Sequence, residues 1–405
     1  MRLLVRDLAQ VATPAADGAT PRRGADLGAV TVVEDAYVLC SDRRIEAVGR
    51  MRDLGSLDGE VEEVDGRGHC AVPGLVDCHT HPAWGGDRVD EFSLRAAGAT
   101  YEELHAAGGG ILSTVEATRA LGEEGLGARV ERHAAWFLGH GTTTWEGKSG
   151  YGLDRDTELA SLRAVRAAGG QPTWLGAHAV PPESADADAY LDFAIGEVLP
   201  EAGRIATAAD VFLERGAFDA QQARRYLTAC REAGLALRLH GDQFTESGAI
   251  PLAIELGARS VDHLEATGAE GAHALAASDV VGVLLPASAL FLDRPMPPGR
   301  ALADAGAALA LATDFNPGSA FTASLPLVCS LACTQLHLSP AEALTAVTVN
   351  AAHVLGLAGR AGRLAPGLAA DLVLLDAPDW RYLAYHLAGD IVAAVVREGQ
   401  VSYRR

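Results

Sequence analysis

The sequence predicts an α/β fold: a (β/α)8 TIM-like barrel carrying a small β-sandwich domain formed by both chain ends. Three observations predict it. From Val72 to about Leu357, short apolar runs alternate with Ala/Leu/Arg/Glu-rich stretches of helical spacing, the signature of repeated βα units. Both flanks lack that alternation and read as short strands and turns. Most of the apolar runs in the middle end on an ionisable residue, as strands do at the mouth of such a barrel.

In chain order, residues 3–11, 30–39 and 44–48 read as strands, with a Gly/Ala/Pro-rich loop around residues 14–28. Barrel strands are expected to end near His81, Lys148, His178, Glu214, His240, His263, Pro286 and Asp314. Helices read at 156–168, 220–233, 248–256 and 340–355, the last opened by Ser339 as N-cap. Strands return at 371–375, 391–397 and 401–403. The chain thus divides into 1–68 and 362–405 for the small β domain and 69–361 for the barrel.

With 405 residues, 49% of them hydrophobic, the chain can bury a large core. A net charge of -20 excludes nucleic acid and anionic membrane surfaces as natural partners, since both repel an acidic protein. An anionic substrate must then be met by local arginines. Cys40, Cys70, Cys78, Cys230, Cys329 and Cys333 contain no Cys-x-x-Cys pair and read as free thiols of a reducing compartment. The apolar stretch at the N-terminus is too short for a signal peptide and no run approaches a membrane span, so a cytoplasmic location is expected. Lys148 is the only lysine, which marks it as an amine that the drift toward arginine left in place.

Residues 71–82 read Ala-Val-Pro-Gly-Leu-Val-Asp-Cys-His-Thr-His-Pro. Side chains at i and i+2 of an extended chain leave the same face, so His79 and His81 can reach one point. His240 and Asp314 complete the best ligand set, three imidazoles and a carboxylate, which suits one zinc or ferrous ion and leaves room for water. Such an ion lowers the pKa of its water from about 15.7 toward ~7, and the implied reaction is metal-assisted hydrolysis.

The run Gly-Leu-Val-Asp-Cys-His-Thr-His, with His240, His263 and Asp314, resembles the amidohydrolase superfamily. Five further stretches are similar to its imidazolonepropionase family: 85–88 (GGDR), 108–114 (GGGILST), 148–153 (KSGYGL), 176–182 (GAHAVPP) and 313–319 (TDFNPGS). The resemblance covers nearly the whole chain. It implies hydrolytic opening of the cyclic amide of 4-imidazolone-5-propanoate to N-formimidoyl-L-glutamate, in histidine degradation. It also implies a homodimer, with His79, His81, His240 and Asp314 as metal ligands. Arg88, Tyr151 and His178 would grip the substrate, and Gln243, Asn316, Gly318 and Ser319 would line the pocket.

These roles suit the residue types. A propanoate tail wants the forked donors of a guanidinium, which Arg88 can supply. Backbone N–H groups of residues 316–319 can serve the same anion. Asp314 can double as the base that moves a proton from water to the leaving nitrogen, and His263 can polarise the carbonyl or else act as a fifth ligand or structural residue. Related deaminases place a glutamate three residues after the strand-end histidine, where this chain has Gln243. An amide cannot shuttle protons by ionising, so deamination is disfavoured, although Asp242 and Glu246 stand nearby as substitute carboxylates. Two-metal members bridge their ions with a carboxylated lysine on the fourth strand. Lys148 is counted at the end of the third strand, so one ion is expected, with Lys148 a cation or donor behind it. Two other readings stay open at this stage: another mononuclear amidohydrolase, acting on a purine-like ring or another cyclic amide, and a catalytically inactive barrel that binds a metal or metabolite.

Overall fold

The computed structural model describes residues 2–15, 20–98 and 110–405. Gly108 and Gly109 of the glycine run, and part of the loop expected around 14–28, lie outside the described residues. Five strands come first: β1 (Arg2–Pro14), β2 (Val30–Ser41), β3 (Arg44–Arg50), β4 (Val61–Asp65) and β5 (Cys70–Pro73). The barrel strands follow as β6 (Leu75–Asp77), β7 (Thr142–Lys148), β8 (Gln171–Ala177), β9 (Ala208–Leu213), β10 (Ala236–Gly241), β11 (Ser260–His263), β12 (Val281–Leu284) and β13 (Leu309–Leu311). The chain closes with β14 (Leu372–Leu375), β15 (Val392–Arg397) and β16 (Gln400–Arg404).

The flanking strands form one mixed sheet in the order β16-β15-β14-β5-β1-β2-β3, with β4 against β1. Its inward residues Leu3, Val5, Val38, Ala71, Leu372 and Val396 share a core, each fully buried Leu or Val contributing about 1.5–3 kcal/mol. Antiparallel pairing of β14 with β5 joins the two chain ends. Because β5 also pairs with β1, this sheet runs on through Pro73, past the boundary expected at residue 68.

The barrel strands lie parallel and in chain order from β6 to β13, the arrangement that successive right-handed βα crossovers produce. Above the ladders, Asp314 N donates to His79 O (3.1 Å) and His81 N to Phe315 O (2.9 Å), so the β6–β13 seam closes through the residues that carry the chemistry. The ladders of β6, β12 and β13 stop at Asp77, Leu284 and Leu311, short of the expected ends at His81, Pro286 and Asp314. At the seam a side chain takes over: Asp77 accepts Thr313 N (3.2 Å) and Thr313 Oγ1 (2.6 Å).

Helices Arg155–Ala167, Ala220–Glu232 and Ala249–Leu256 lie within a residue of their expected ends, the first two capped by Asp154 and Asp219. The segment at 340–355 departs from expectation. Ser339 does form a capping box with Glu342, but the helix Pro340–Thr345 opens into a π-turn over Ala346–Asn350 before Ala351–Leu355. There the Asn350 side chain accepts Arg22 N (2.7 Å) and donates to Leu309 O (2.7 Å), tying the N-terminal segment to β13. All six cysteines are free. No helix among the described residues is long and apolar enough to cross a membrane.

Candidate metal centre

His79 and His81 leave the β6 end two residues apart, and His240 leaves β10 on the opposite wall. Their Nε2 atoms converge: His81 lies 3.3 Å from His79 and 3.4 Å from His240. Asp314 Oδ1 stands 3.5 Å from Nε2 of both His79 and His81. His263 joins the cluster, since ligand atoms of His79, His240 and His263 also fall within 4.8 Å of one another. All five residues are buried. Burial, reinforced by Lys148 and the neighbouring imidazoles, holds His79 well below the ordinary histidine pKa; burial followed by His240 does the same for His81. Neutral imidazole lone pairs facing one another beside a carboxylate oxygen are a poor hydrogen-bond arrangement and a good donor set for a cation. The residues present fit a metal ion.

Their orientation is enforced from behind. His79 Nδ1 hydrogen-bonds Asp262 Oδ2 at 2.5 Å, the carboxylate–histidine arrangement that turns Nε2 toward a metal, while Asp210 stands behind His240, with Oδ2 3.1 Å from Nδ1 and Oδ1 accepting His240 N. Asp314 and His263 adopt left-handed backbone, φ +54° and +87°, as do Leu264, Asp242 and Leu153 around the mouth. Each such non-glycine residue costs on the order of 1 kcal/mol or more, strain that packed functional sites retain.

Lys148 ends the second barrel strand and His178 follows the third, which corrects the count that put Lys148 on the third. Lys148 is fully buried, its Nζ 2.7 Å from Asp210 Oδ2 and 2.8 Å from Glu146 Oε1. Burial alone would depress its pKa, but Asp210, Glu146 and Asp262 outweigh it and raise it, so the group is an ammonium. A carboxylated lysine would set another anion among these three.

Of the expected substrate contacts, His178 stacks on His81 (ring centroids 5.6 Å apart, 25° between planes) and Tyr151 lies 5.2 Å from His178 and 6.0 Å from His81. His178 Nδ1 pairs with Gly150 O at 2.9 Å, and burial, then His240, lowers its pKa to about 3; it is a neutral ring. Arg88 precedes the helix Val89–Ala96, donating through Nε to Thr114 Oγ1 (2.9 Å) and through Nη1 to Glu91 (2.9 Å). Its guanidinium borders Gly318, where an added Cβ would stand 3.4 Å from Nη1. Gln243 sits partly buried in the turn after β10.

Two expectations fail here. Gly318 N and Ser319 N both donate to Asn316 Oδ1 (2.8 Å each) and Asn316 N donates to Ala320 O, so the 316–319 backbone has no donor left for an anion. Asn316 closes its own turn, the usual habit of that side chain. Ser319 Oγ instead donates to Asp314 Oδ2 (3.2 Å), orienting the carboxylate. Asp242 is no substitute acid either: Ser247 N and Oγ occupy its Oδ1 and Thr267 Oγ1 its Oδ2, while Glu246 is exposed.

Sequence reasoning also missed the acids that shape the mouth. Glu158 accepts backbone N–H from Gly150, Gly152 and Leu153, folding the turn that carries Tyr151. Glu214 accepts Phe244 N and Thr245 N, pinning the turn of Gln243. Tyr190 Oη donates to Gly176 O and Gly176 N donates to Tyr226 Oη, setting the end of β8 from which His178 projects. A detectable signal existed for one group: Glu146-x-Lys148 and Arg238-x-His240 put ionisable residues at i, i+2 inside apolar strands, hence on the barrel interior.

A buried His/Asp cluster at the C-terminal mouth of a parallel barrel defines a metal-dependent hydrolase, and the profile of the Amidohydrolase family matches residues 103–403. The chain is accordingly a hydrolase acting on carbon–nitrogen bonds. Among curated proteins it is 61% identical over 407 residues to an imidazolonepropionase of Rubrobacter xylanophilus, covering 98% of this chain and 97% of the relative. An imidazolonepropionase of Chloroflexus aggregans is 46% identical, covering 98% of each. The chain belongs to the imidazolonepropionase family. Among solved structures, an adenosine deaminase from Xanthomonas campestris with bound zinc aligns at TM-score 0.73 and 21% identity over 99% of this chain and 93% of that one. E. coli guanine deaminase aligns at TM-score 0.71 and 15% identity over 100% and 99%. Those two likenesses concern the fold alone.

Proposed function

We propose that the chain hydrolyses the cyclic amide of 4-imidazolone-5-propanoate to N-formimidoyl-L-glutamate, using one zinc or iron ion held by His79, His81, His240 and Asp314. The observation that carries this reading is the convergence of three imidazole Nε2 atoms and Asp314 Oδ1 in a chain matched end to end by relatives of that name. When bound, the ion supplies Lewis-acid polarisation and a reactive water at neutral pH. Arg88 takes the propanoate with the guanidinium donors that Thr114 and Glu91 leave free. Neutral His178, its Nδ1–H held by Gly150 O, presents Nε2 as an acceptor for a ring N–H, and Tyr151 packs beside it. His263 borders the same cluster, with Nδ1 3.4 Å from Glu265 Oε1, and is placed to polarise the attacked carbonyl. Asp314, with Oδ2 steadied by Ser319, takes a proton from the attacking water and returns it to the ring nitrogen as the C–N bond breaks.

The test is a spectrophotometric assay on freshly made imidazolone propanoate, with metal analysis of the same preparation. Wild type should turn over and carry about one ion per chain, while His240→Ala should lose both properties and remain folded. Turnover of guanine, cytosine or hydantoin in preference to the imidazolone would sink the reading.

A further inference from the structure

Below the imidazole cluster the barrel is filled by charge. Glu146, Lys148, Asp210, Arg238 and Asp262 come from β7, β9, β10 and β11, and none is more than 1% exposed. Lys148 stands at their centre. Its Nζ lies 2.7 Å from Asp210 Oδ2 and 3.9 Å from Asp262 Oδ2, and these same oxygens face His240 Nδ1 at 3.1 Å and His79 Nδ1 at 2.5 Å. The third neighbour, Glu146 (2.8 Å), is also gripped by Arg238 Nη1 and accepts Thr80 N at 3.4 Å, between the two histidines that follow β6. One ammonium therefore connects three walls of the barrel to the backs of two ligand rings.

Resting on the metal reading above, we infer that Lys148 is a positioning residue for the metal centre: its ammonium anchors the Asp210 and Asp262 carboxylates that hold His240 and His79 with Nε2 toward the ion. The chemistry explains why the amine survives in an arginine-rich chain. Three carboxylates converge on one buried point, which a compact ammonium fills; a planar guanidinium is wider and directs its donors along fixed lines. Asp210 also accepts His240 N through Oδ1 (3.1 Å), so swinging this carboxylate disturbs both the ring and the strand end that bears it. Without Lys148, Asp210 on β9 and Asp262 on β11 would lose the cation they share, leaving Arg238 as the remaining buried cation among the described residues, and mutual repulsion would pull them from the imidazoles.

The experiment compares wild type, Lys148→Met, Asp210→Asn and the double variant, each full-length. Zinc affinity is measured by competition with a chromogenic chelator, and melting temperature is measured after metal removal. Each single variant should bind zinc about 10- to 100-fold more weakly, the usual consequence of losing support behind a ligating histidine. The double variant should lose less than the product of the two single losses, because both changes break the Lys148–Asp210 linkage. If Lys148→Met fails to fold, the double variant, which removes one cation with one anion, and Asp210→Asn still decide the question. A folded Lys148 variant with wild-type zinc affinity and only a lowered metal-free melting temperature would overturn the inference, as would independent losses that multiply in the double. Wild type that takes up no zinc or iron would instead defeat the metal reading itself.

Discussion

Gly150→Ala tests whether the turn between β7 and its helix presets the substrate face. Gly150 has φ +101°, a region L side chains rarely adopt, and a Cβ there would stand 2.8 Å from Leu175 O, 3.0 Å from Leu175 Cγ and 3.0 Å from His178 Nδ1. Backbone strain costs roughly 1–3 kcal/mol, and overpacking against a backbone oxygen that cannot retreat costs about 1–3 kcal/mol more. The predicted destabilisation is therefore about 2–6 kcal/mol. Relief requires the turn to move away from β8, which lengthens the His178 Nδ1–Gly150 O hydrogen bond and shifts Tyr151, the next residue. KM for the imidazolone should accordingly rise about tenfold or more, the equivalent of ~1.4 kcal/mol of lost binding, with metal content unchanged. Urea unfolding, steady-state kinetics and metal analysis on one preparation check all three. Wild-type stability with wild-type KM would refute the reasoning.

Arg88→Met should raise KM for imidazolone propanoate by about 100-fold, two charge-assisted hydrogen bonds' worth at ~1.5 kcal/mol each. It should leave an analogue with an uncharged side chain unaffected, and equal losses on both substrates would remove Arg88 from carboxylate recognition. Asp371, in the small β domain, accepts Glu398 N at 2.7 Å, and burial raises its pKa to about 6 despite Arg397, Arg360 and Arg43. Because its folded pKa lies above the unfolded value near 3.9, the folded state holds the proton between about pH 4 and 6 and the wild type loses stability as pH rises through that window. Asp371→Asn should lack that loss, gaining up to about 3 kcal/mol over wild type between pH 4 and 7 in denaturant titrations. A pH-independent difference between the two proteins would contradict the assignment.

The parts of the fold that were legible in the sequence are those with local causes. Period-2 and helical patterning located the strands and helices, and Ser339 marked its helix start as N-cap, the structure adding Glu342 three residues on to complete a capping box. The π-turn at 346–350 was invisible because its cause, the Asn350 bonds to Arg22 and Leu309, joins segments distant in sequence. The same division holds at the site. His79, His81, His240 and Asp314 could be named because strand-end position and residue type coincide, and the structure brings their ligand atoms together. The free backbone donors expected at 316–319 were misjudged because Pro and Gly announce a turn without saying which acceptor fills it, and that acceptor is Asn316 itself. The turn-holding roles of Glu158 and of Glu214, the latter named only as a strand end, were missed because an acid near the start of a helix or at a strand end also suits an ordinary solvated position; only burial beneath a loop separates the two cases.

The excess negative charge of the chain bears on how such a site can accept an anion. Long-range attraction is absent at -20, so selectivity for a carboxylate must come from groups whose field acts over a few ångströms. Around the cluster the acids are arranged to be already engaged: Asp262 by His79, Asp210 by Lys148 and His240, Glu91 by Arg88, Asp242 by Ser247 and Thr267. Each engaged carboxylate contributes little repulsion at the mouth while fixing the group it holds. Arg88 is ion-paired yet keeps donors that carry no bond among the described residues, so an incoming carboxylate adds to the Glu91 pair without having to break it. Removing that acid by Glu91→Gln would free the cation but release its orientation, and the two effects oppose each other. The geometry favours orientation as the larger, because Glu91 also accepts Gly110 N (2.8 Å) and so fixes the guanidinium against the start of the helix Ile111–Gly139.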